Sequence, residues 1–317
     1  MDLWELTDLC TPWCVHVVAT LHVAEHIAAG KSEIGPLAEA AGAHRESLQR
    51  VMQHLVSKGL FEEPTPGRFA LNDLARELLE NPFLSLEGIG GRMAGAWPTM
   101  LSAVRTGKPA YHEAFGLPFW EDLEAHPDIA ASFDALMGPG HGTPDPEVLV
   151  NPADWPSIRT VVDVGGGTGS LLAEVLRAHP TVRGTLVDLP RTVARSAEVF
   201  QAAGVADRAT AVAQSFFDPL PAGADIYMLK SVIADWPDPE ATALLKRCAE
   251  AARPDGRVVV FTTEKGGPEL LMMVLVGGKG RSLEEFRAIA RDAGLDVSAV
   301  GRQPSGRTIV ECRPVAS

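Results

Sequence analysis

The sequence predicts an α/β protein: a doubly wound sheet of seven mainly parallel strands in its second half, behind a mostly helical first half. Three observations carry this. Beyond about residue 154, short β-branched runs alternate with helix-length segments, the pattern of strands buried on both faces. Before it, apolar residues recur at three- and four-residue spacing. Between the first of the strands and the helix after it lies one glycine run, Gly165-Gly166-Gly167-Thr168-Gly169. The expected domains are residues 1–150 and 151–317.

In the first half, Leu9, Val15, Val18, Leu21 and Ile27 predict one apolar helix over 6–29, long for a surface element and so expected to bury itself against a second copy of the chain. A helix over 34–41, a turn at Gly42-Ala43, a helix over 45–58, and two short runs around 64–67 then spell a winged helix-turn-helix. Such a module can read DNA, and a cofactor-sensing regulator is one reading of the chain. Its second helix, however, mixes Arg45, Arg50 and Lys58 with Glu46, which favours a packing and dimerisation module. The breaker-rich stretch 138–146 predicts a linker or hinge.

In the second half, strands are expected at 160–164, 184–189, 211–213, 225–229 and 257–261. A closing antiparallel hairpin at 295–300 and 308–312, joined by the turn-rich Arg302-Gln303-Pro304-Ser305-Gly306, makes seven.

Composition excludes several classes. The 317 residues, 46% of them hydrophobic, are enough for a large core, and 28 Lys+Arg against 41 Asp+Glu leave a net charge of -13. That field repels nucleic acid and anionic membrane and welcomes a cation. The start Met1-Asp2-Leu3-Trp4-Glu5 lacks a basic secretory n-region, and no run of 18 apolar residues occurs, so a cytoplasmic protein is expected. Cys10, Cys14, Cys248 and Cys312 are too sparse for a disulfide framework and read as reduced core thiols. Cys10 and Cys14 share a helical face, but no second close pair accompanies them and no metal is expected. His22-Val23-Ala24-Glu25-His26 has the spacing of a metalloprotease motif without a third ligand, and reads as interface or core histidines.

The glycine run carries the chemistry. A dinucleotide fingerprint wants a glycine where Ser170 stands, and no Lys-Ser/Thr follows to clamp a phosphate. Instead an acid, Asp163, precedes the loop, and a second, Asp188, ends the next strand, from which a carboxylate can accept ribose hydroxyl hydrogen bonds. A glycine loop ringed by carboxylates suits an adenosyl group bearing a positive sulfonium and an ammonium. The bland alternative, a turn needed only for tight helix–strand packing, leaves Asp188 unexplained.

Five segments in succession resemble the motifs of the caffeate-type and antibiotic-tailoring O-methyltransferases: residues 162–169, 184–190, 215–221, 229–236 and 277–282. Thr11-Pro12, Ala24-Glu25-His26-Ile27, Phe119-Trp120-Glu121 and residues 132–137 resemble that family's dimerisation domain, so nearly the whole chain is covered. Within the family the likeness is to actinobacterial naphthoate O-methyltransferases and anthracycline-tailoring relatives. The resemblance implies a Rossmann-like methyltransferase domain behind a winged-helix dimerisation domain, a homodimer, S-adenosylmethionine as cofactor with S-adenosylhomocysteine as product, and an aromatic or polyketide acceptor. It also implies that Gly165 and Gly167 take the methionine end, Asp188 the ribose, Ser215 and Phe216 the adenine, and Lys230 the cofactor's outer edge. Asp235 would hold a polar group of the acceptor, with Met272, Met273, Phe133 and Met137 as further acceptor contacts, and Trp236 as packing.

The same likeness exposes a gap. The family base is a histidine, and Ala234 stands in its place; the two glutamates that brace it correspond to Thr262 and Gly280. Losing all three together points to a changed mechanism. A phenol with pKa near 10 is about a thousandth ionised at pH 7, a deficit of roughly 4 kcal/mol, whereas orientation alone supplies about 7–11 kcal/mol. Methylation by proximity is therefore the first reading, and a cofactor-dependent hydroxylation or decarboxylation without methyl transfer the second. Tyr111, His112 and His141 are the other base candidates, each read more simply as a surface or hinge residue. Residues 263–268 form a shorter link than the family usually has.

Overall fold

In the computed structural model, residues 3–137, 145–262, 269–303 and 306–315 are described. The chain divides into two compact units, residues 1–95 with 126–133, and residues 96–125 with 134–317.

The first unit is helical. The single apolar helix expected over 6–29 is instead a short turn at Leu3–Leu6, a helix Cys10–Thr20 and a helix Val23–Ala28. The break falls at His22, whose backbone is left-handed (φ 51°). Phase explains it: in a continuous helix Val23 would lie roughly 140° round from Val18. The break lets both bury fully in one core with Ala24 and Ile27. Helices Ile34–Ala40 and Arg45–Ser57 follow, then a hairpin of β1 (Phe61–Thr65) and β2 (Arg68–Leu71) pairing Phe61 with Leu71, which is the winged helix-turn-helix the sequence predicts. The amphipathic helix 45–57 turns Leu48, Met52 and Leu55 inward, and Phe61 and Phe69 of the wing close over them.

The second unit holds the seven-stranded sheet: β3 (Thr160–Val164), β4 (Arg183–Asp188), β5 (Ala209–Ala213), β6 (Ile226–Lys230), β7 (Arg257–Thr262), β8 (Leu295–Arg302) and β9 (Thr308–Pro314). Their order is β5-β4-β3-β6-β7-β9-β8. All pairs from β5 to β7 are parallel, and β9 runs antiparallel to both β7 and β8. Alternation along the strands builds two cores. Val162, Val164, Tyr227 and Leu229 face one layer with the helix Asp238–Ala252, while Val161, Ile226 and Met228 face the other with the helix Ser170–Ala178. Because β3 is flanked by β4 on one side and β6 on the other, the strand order reverses beside it. In open α/β sheets the crevice at that switch point is where ligands bind. The glycine run leaves β3 there. Among the described residues no helix is long and apolar enough to cross a membrane.

Candidate functional site

Asp163 is the penultimate residue of β3 and shares the alternate face of Val161, so the strand period drives a carboxyl into an apolar layer. It is fully buried, and neither carboxyl oxygen makes a hydrogen bond of good geometry, the backbone N–H of Leu172 being the donor nearest to doing so. Burial, reinforced by the like charge of Asp188 and opposed by Lys230, pushes its pKa up to about 7. The loop folds directly over it. A Cβ at position 166 would run into the Asp163 carboxyl and lie 2.7 Å from the Leu186 side chain, so only glycine fits. At Gly167 the opposite holds: φ is +64° and nothing lies within 4 Å of where a Cβ would be, so the backbone is open on that side.

Asp188 ends β4 and ties the loop in place. One carboxylate oxygen accepts the Gly167 N–H at 2.8 Å, the other the Leu189 N–H at 2.7 Å. Burial nevertheless raises its pKa. Lys230, at the end of β6, has its pKa lowered by burial and by Arg307, with Asp163 acting in the opposite sense. Two carboxyls whose ionisation burial opposes lie beneath and beside an open backbone turn, a setting that a sulfonium or ammonium group would stabilise. The residues present fit S-adenosylmethionine.

Phe216 closes the far side of the loop, its ring 3.3 Å from a Cβ built at Gly165. It packs edge-on to Trp236 (centroids 5.9 Å apart), as does Phe217 (4.9 Å), and Trp120 stacks on the same indole at 6.4 Å. Trp236 is thus the packing residue the sequence suggests. Ser215 is half-buried, its hydroxyl accepting the Phe217 N–H at 3.2 Å.

The segment after β6 carries Ala234 and Asp235 on a single 3₁₀ turn, Ile233–Asp235. Arg281, 4% exposed, pins it from both ends by donating to the Ile233 carbonyl (2.8 Å), the Trp236 carbonyl (2.7 Å) and the Asp238 carboxylate (2.9 Å). Gly278 presses so closely on Ala234 and Asp235 that a Cβ there would collide with their backbone. The Asp235 carboxyl has no hydrogen-bond or charge partner among the described residues, and burial alone pushes its pKa up to about 7. Thr262 ends β7 and Gly280 is buried, so neither supplies a carboxylate. A carboxylate that the sequence reading misses stands beside the second: Glu269 accepts the backbone N–H of Gly280, and its oxygens lie 2.6 Å from where a Cβ at 280 would be.

The other expected residues scatter. Met272 and Met273 are half-buried on the helix Leu270–Leu275 of the second unit. Met137, in the same unit as Asp235, is 47% exposed, and Phe133 belongs to the first unit. His112 is exposed, whereas Tyr111 is buried and donates to Asp122 at 2.7 Å, which makes it a packing residue rather than a surface one. His141, most of the 138–146 stretch and the 263–268 link lie outside the described residues. His22 is exposed at the helix break with its imidazole 3.3 Å from Glu25, so it is not a core histidine. Cys14, Cys248 and Cys312 are buried free thiols as expected, but Cys10 is exposed, because the helix Cys10–Thr20 starts there and turns Cys14 and Val18 inward instead.

Comparison with known proteins agrees with this geometry. Residues 97–296 match an O-methyltransferase domain, and residues 4–81 an O-methyltransferase dimerisation domain. The 2,7-dihydroxy-5-methyl-1-naphthoate 7-O-methyltransferase of Streptomyces carzinostaticus is 42% identical over 94% of this chain and 93% of its own length. Aclacinomycin 10-hydroxylase RdmB of Streptomyces purpurascens is 35% identical over 96% of this chain and 86% of its own. The crystal structure of NcsB1, an O-methyltransferase from neocarzinostatin biosynthesis in complex with S-adenosylmethionine and 2-hydroxy-5-methyl naphthoic acid, superposes with a TM-score of 0.92 at 40% identity, covering 99% of each chain. With both domains matched in sequence and the whole chain matched in structure, this protein belongs to the O-methyltransferase family.

Proposed function

We propose that this protein transfers the methyl group of S-adenosylmethionine to a hydroxyl of an aromatic, polyketide-type acceptor, relying on positioning rather than on a histidine base. The observation that carries the reading is the carboxylate-lined glycine turn at the switch point, with Asp163 beneath it and Asp188 across it. The naphthoate methyltransferase at 42% identity and the naphthoic acid bound to NcsB1 support the acceptor class.

When bound, the cofactor supplies an electrophilic methyl on a positive sulfur. The chain's own residues do the rest. Gly167 and its neighbours present open backbone to the methionine end, Asp188 holds the loop and takes ribose hydroxyls, and Ser215 and Phe216 flank the adenine. Lys230 balances Asp163 at the rim. Asp235, a buried carboxyl with no internal partner among the described residues, accepts the hydrogen bond of the acceptor hydroxyl and, once ionised, holds and polarises that oxygen in position to receive the methyl. Met272 and Met273, half-buried on the helix Leu270–Leu275, are the acceptor contacts this reading assigns within the same unit. Residues 1–150 serve as dimerisation and capping domain and 151–317 as cofactor domain, and the dimerisation match at 4–81 supports a homodimer.

A second reading has its own support. The 35% identity to a 10-hydroxylase, combined with Ala234 at the base position, fits a tailoring reaction that moves no methyl. Incubation with methyl-labelled cofactor and hydroxynaphthoate or anthracycline acceptors separates the two: labelled product with stoichiometric S-adenosylhomocysteine is expected, and an altered but unlabelled product sinks the methyltransferase reading.

A further inference from the structure

A cluster outside the methyltransferase domain has no part in this chemistry. Cys10 and Cys14 stand one turn apart on the helix Cys10–Thr20, their sulfurs 3.7 Å apart. The fold brings His54 of the helix Arg45–Ser57 to them, and a ring nitrogen and the two sulfurs all lie within 4.8 Å of one another. From sequence the cysteine pair lacks a third ligand; tertiary packing across 40 residues of chain supplies it (54 − 14).

The spacing is that of a coordination site. With metal–sulfur bonds of about 2.3 Å, two thiolates on a tetrahedral ion are about 3.8 Å apart. The observed 3.7 Å needs no rearrangement of the helix. The imidazole is held by its surroundings: Nε2 lies 2.8 Å from the Thr11 hydroxyl, which donates its own proton to Asp8 at 2.6 Å. Nε2 therefore carries the hydrogen toward Thr11, and Nδ1 is the nitrogen left with a free lone pair. A carboxylate–hydroxyl–imidazole relay of this kind is what orients metal-binding histidines. Ordinary core packing does not account for the set, because Cys10 is exposed.

We propose that Cys10, Cys14 and His54 form a binding site for a thiophilic divalent ion, Zn(II) in the first instance, with two thiolates, one imidazole and a fourth position open on the exposed Cys10 side. Two soft sulfurs and an imidazole select such an ion over Mg(II) or Ca(II). The ion fastens the first long helix of the winged-helix unit to its second recognition-type helix. It has no role in methyl transfer, and the proposal stands or falls independently of it.

The test uses the full chain, stripped with chelator under a thiol-free reductant and titrated with Co(II) and then Zn(II). Expected are one Co(II) per chain, intense tetrahedral visible bands with a sulfur-to-cobalt charge-transfer band, and their loss on adding Zn(II). C10S, at an exposed position, should abolish the charge-transfer intensity of one thiolate, and H54N should leave a cysteine-only spectrum. T11V should weaken binding by roughly tenfold to a hundredfold while keeping all three ligands. Absence of the bands in the wild-type chain overturns the proposal, as does a spectrum unchanged in both C10S and H54N, or a Cys10–Cys14 disulfide that forms equally with and without Zn(II).

Discussion

The carboxylate of Asp188 accepts the backbone N–H of Gly167 at 2.8 Å, joining the end of β4 to the turn after β3 across the switch point of the sheet. A hydrogen bond to a charged acceptor contributes about 1.5–3 kcal/mol. The variant D188A should therefore weaken S-adenosylhomocysteine binding by roughly tenfold to a hundredfold by calorimetry. D188N, which keeps one acceptor, should lose less, and the far-ultraviolet dichroism of both should match the parent.

Gly166 is fixed by the carboxyl beneath it, since any Cβ strikes Asp163 and Leu186. G166A should cost about 1–3 kcal/mol of stability, measured as a lowered denaturant midpoint, and should weaken cofactor binding in proportion. An unchanged midpoint would mean that the loop yields and that the fit over Asp163 is loose.

Asp163 makes stability depend on pH with a definite sign. Its folded pKa of about 7 is raised from 3.8, so between those values the folded state holds a proton that the unfolded state has released. Its stabilising protonation is complete below about pH 4, declines as pH rises to 7, and is absent above, a span on the order of 4 kcal/mol. D163N should flatten this part of the stability curve and leave the cofactor-free protein more stable than the parent at pH 8, by chemical denaturation. Cofactor affinity should fall in the same variant.

Asp235 should govern the pH profile of turnover. With its pKa near 7 from burial alone, the parent should lose kcat/KM as pH falls below 7, through protonation of the group that receives the acceptor hydroxyl. D235N should remove that limb and lower kcat/KM about tenfold to a hundredfold at pH 8, with cofactor affinity unchanged.

The sheet was legible because its signals are local. Each of β3 to β9 is a β-branched or apolar run bounded by turn residues, and observed ends differ from expected ones by two residues at most. The glycine turn was legible for the same reason, since Asp163, the glycines and Asp188 sit at fixed offsets along one βαβ unit, and the structure brings Asp188 onto the Gly167 N–H. The break at His22 was not, because no glycine or proline marks it and only the inward phase of Val23 demands it. Nor was Glu269, which reaches Gly280 by a turn of backbone with φ 44° that no local residue type announces. His54 joins the two cysteines only through helix packing, a contact invisible to any reading along the chain.

Arg281 draws together two carbonyls and a carboxylate around the 3₁₀ turn that carries Ala234 and Asp235. None of those contacts involves the side chain at 234. The segment therefore behaves as a socket whose shape is set from behind and whose occupant is free to vary. The side chain at 234 is thus a part of the turn that Arg281 does not fix, while the backbone that carries Asp235 is held from behind by a different stretch of the chain.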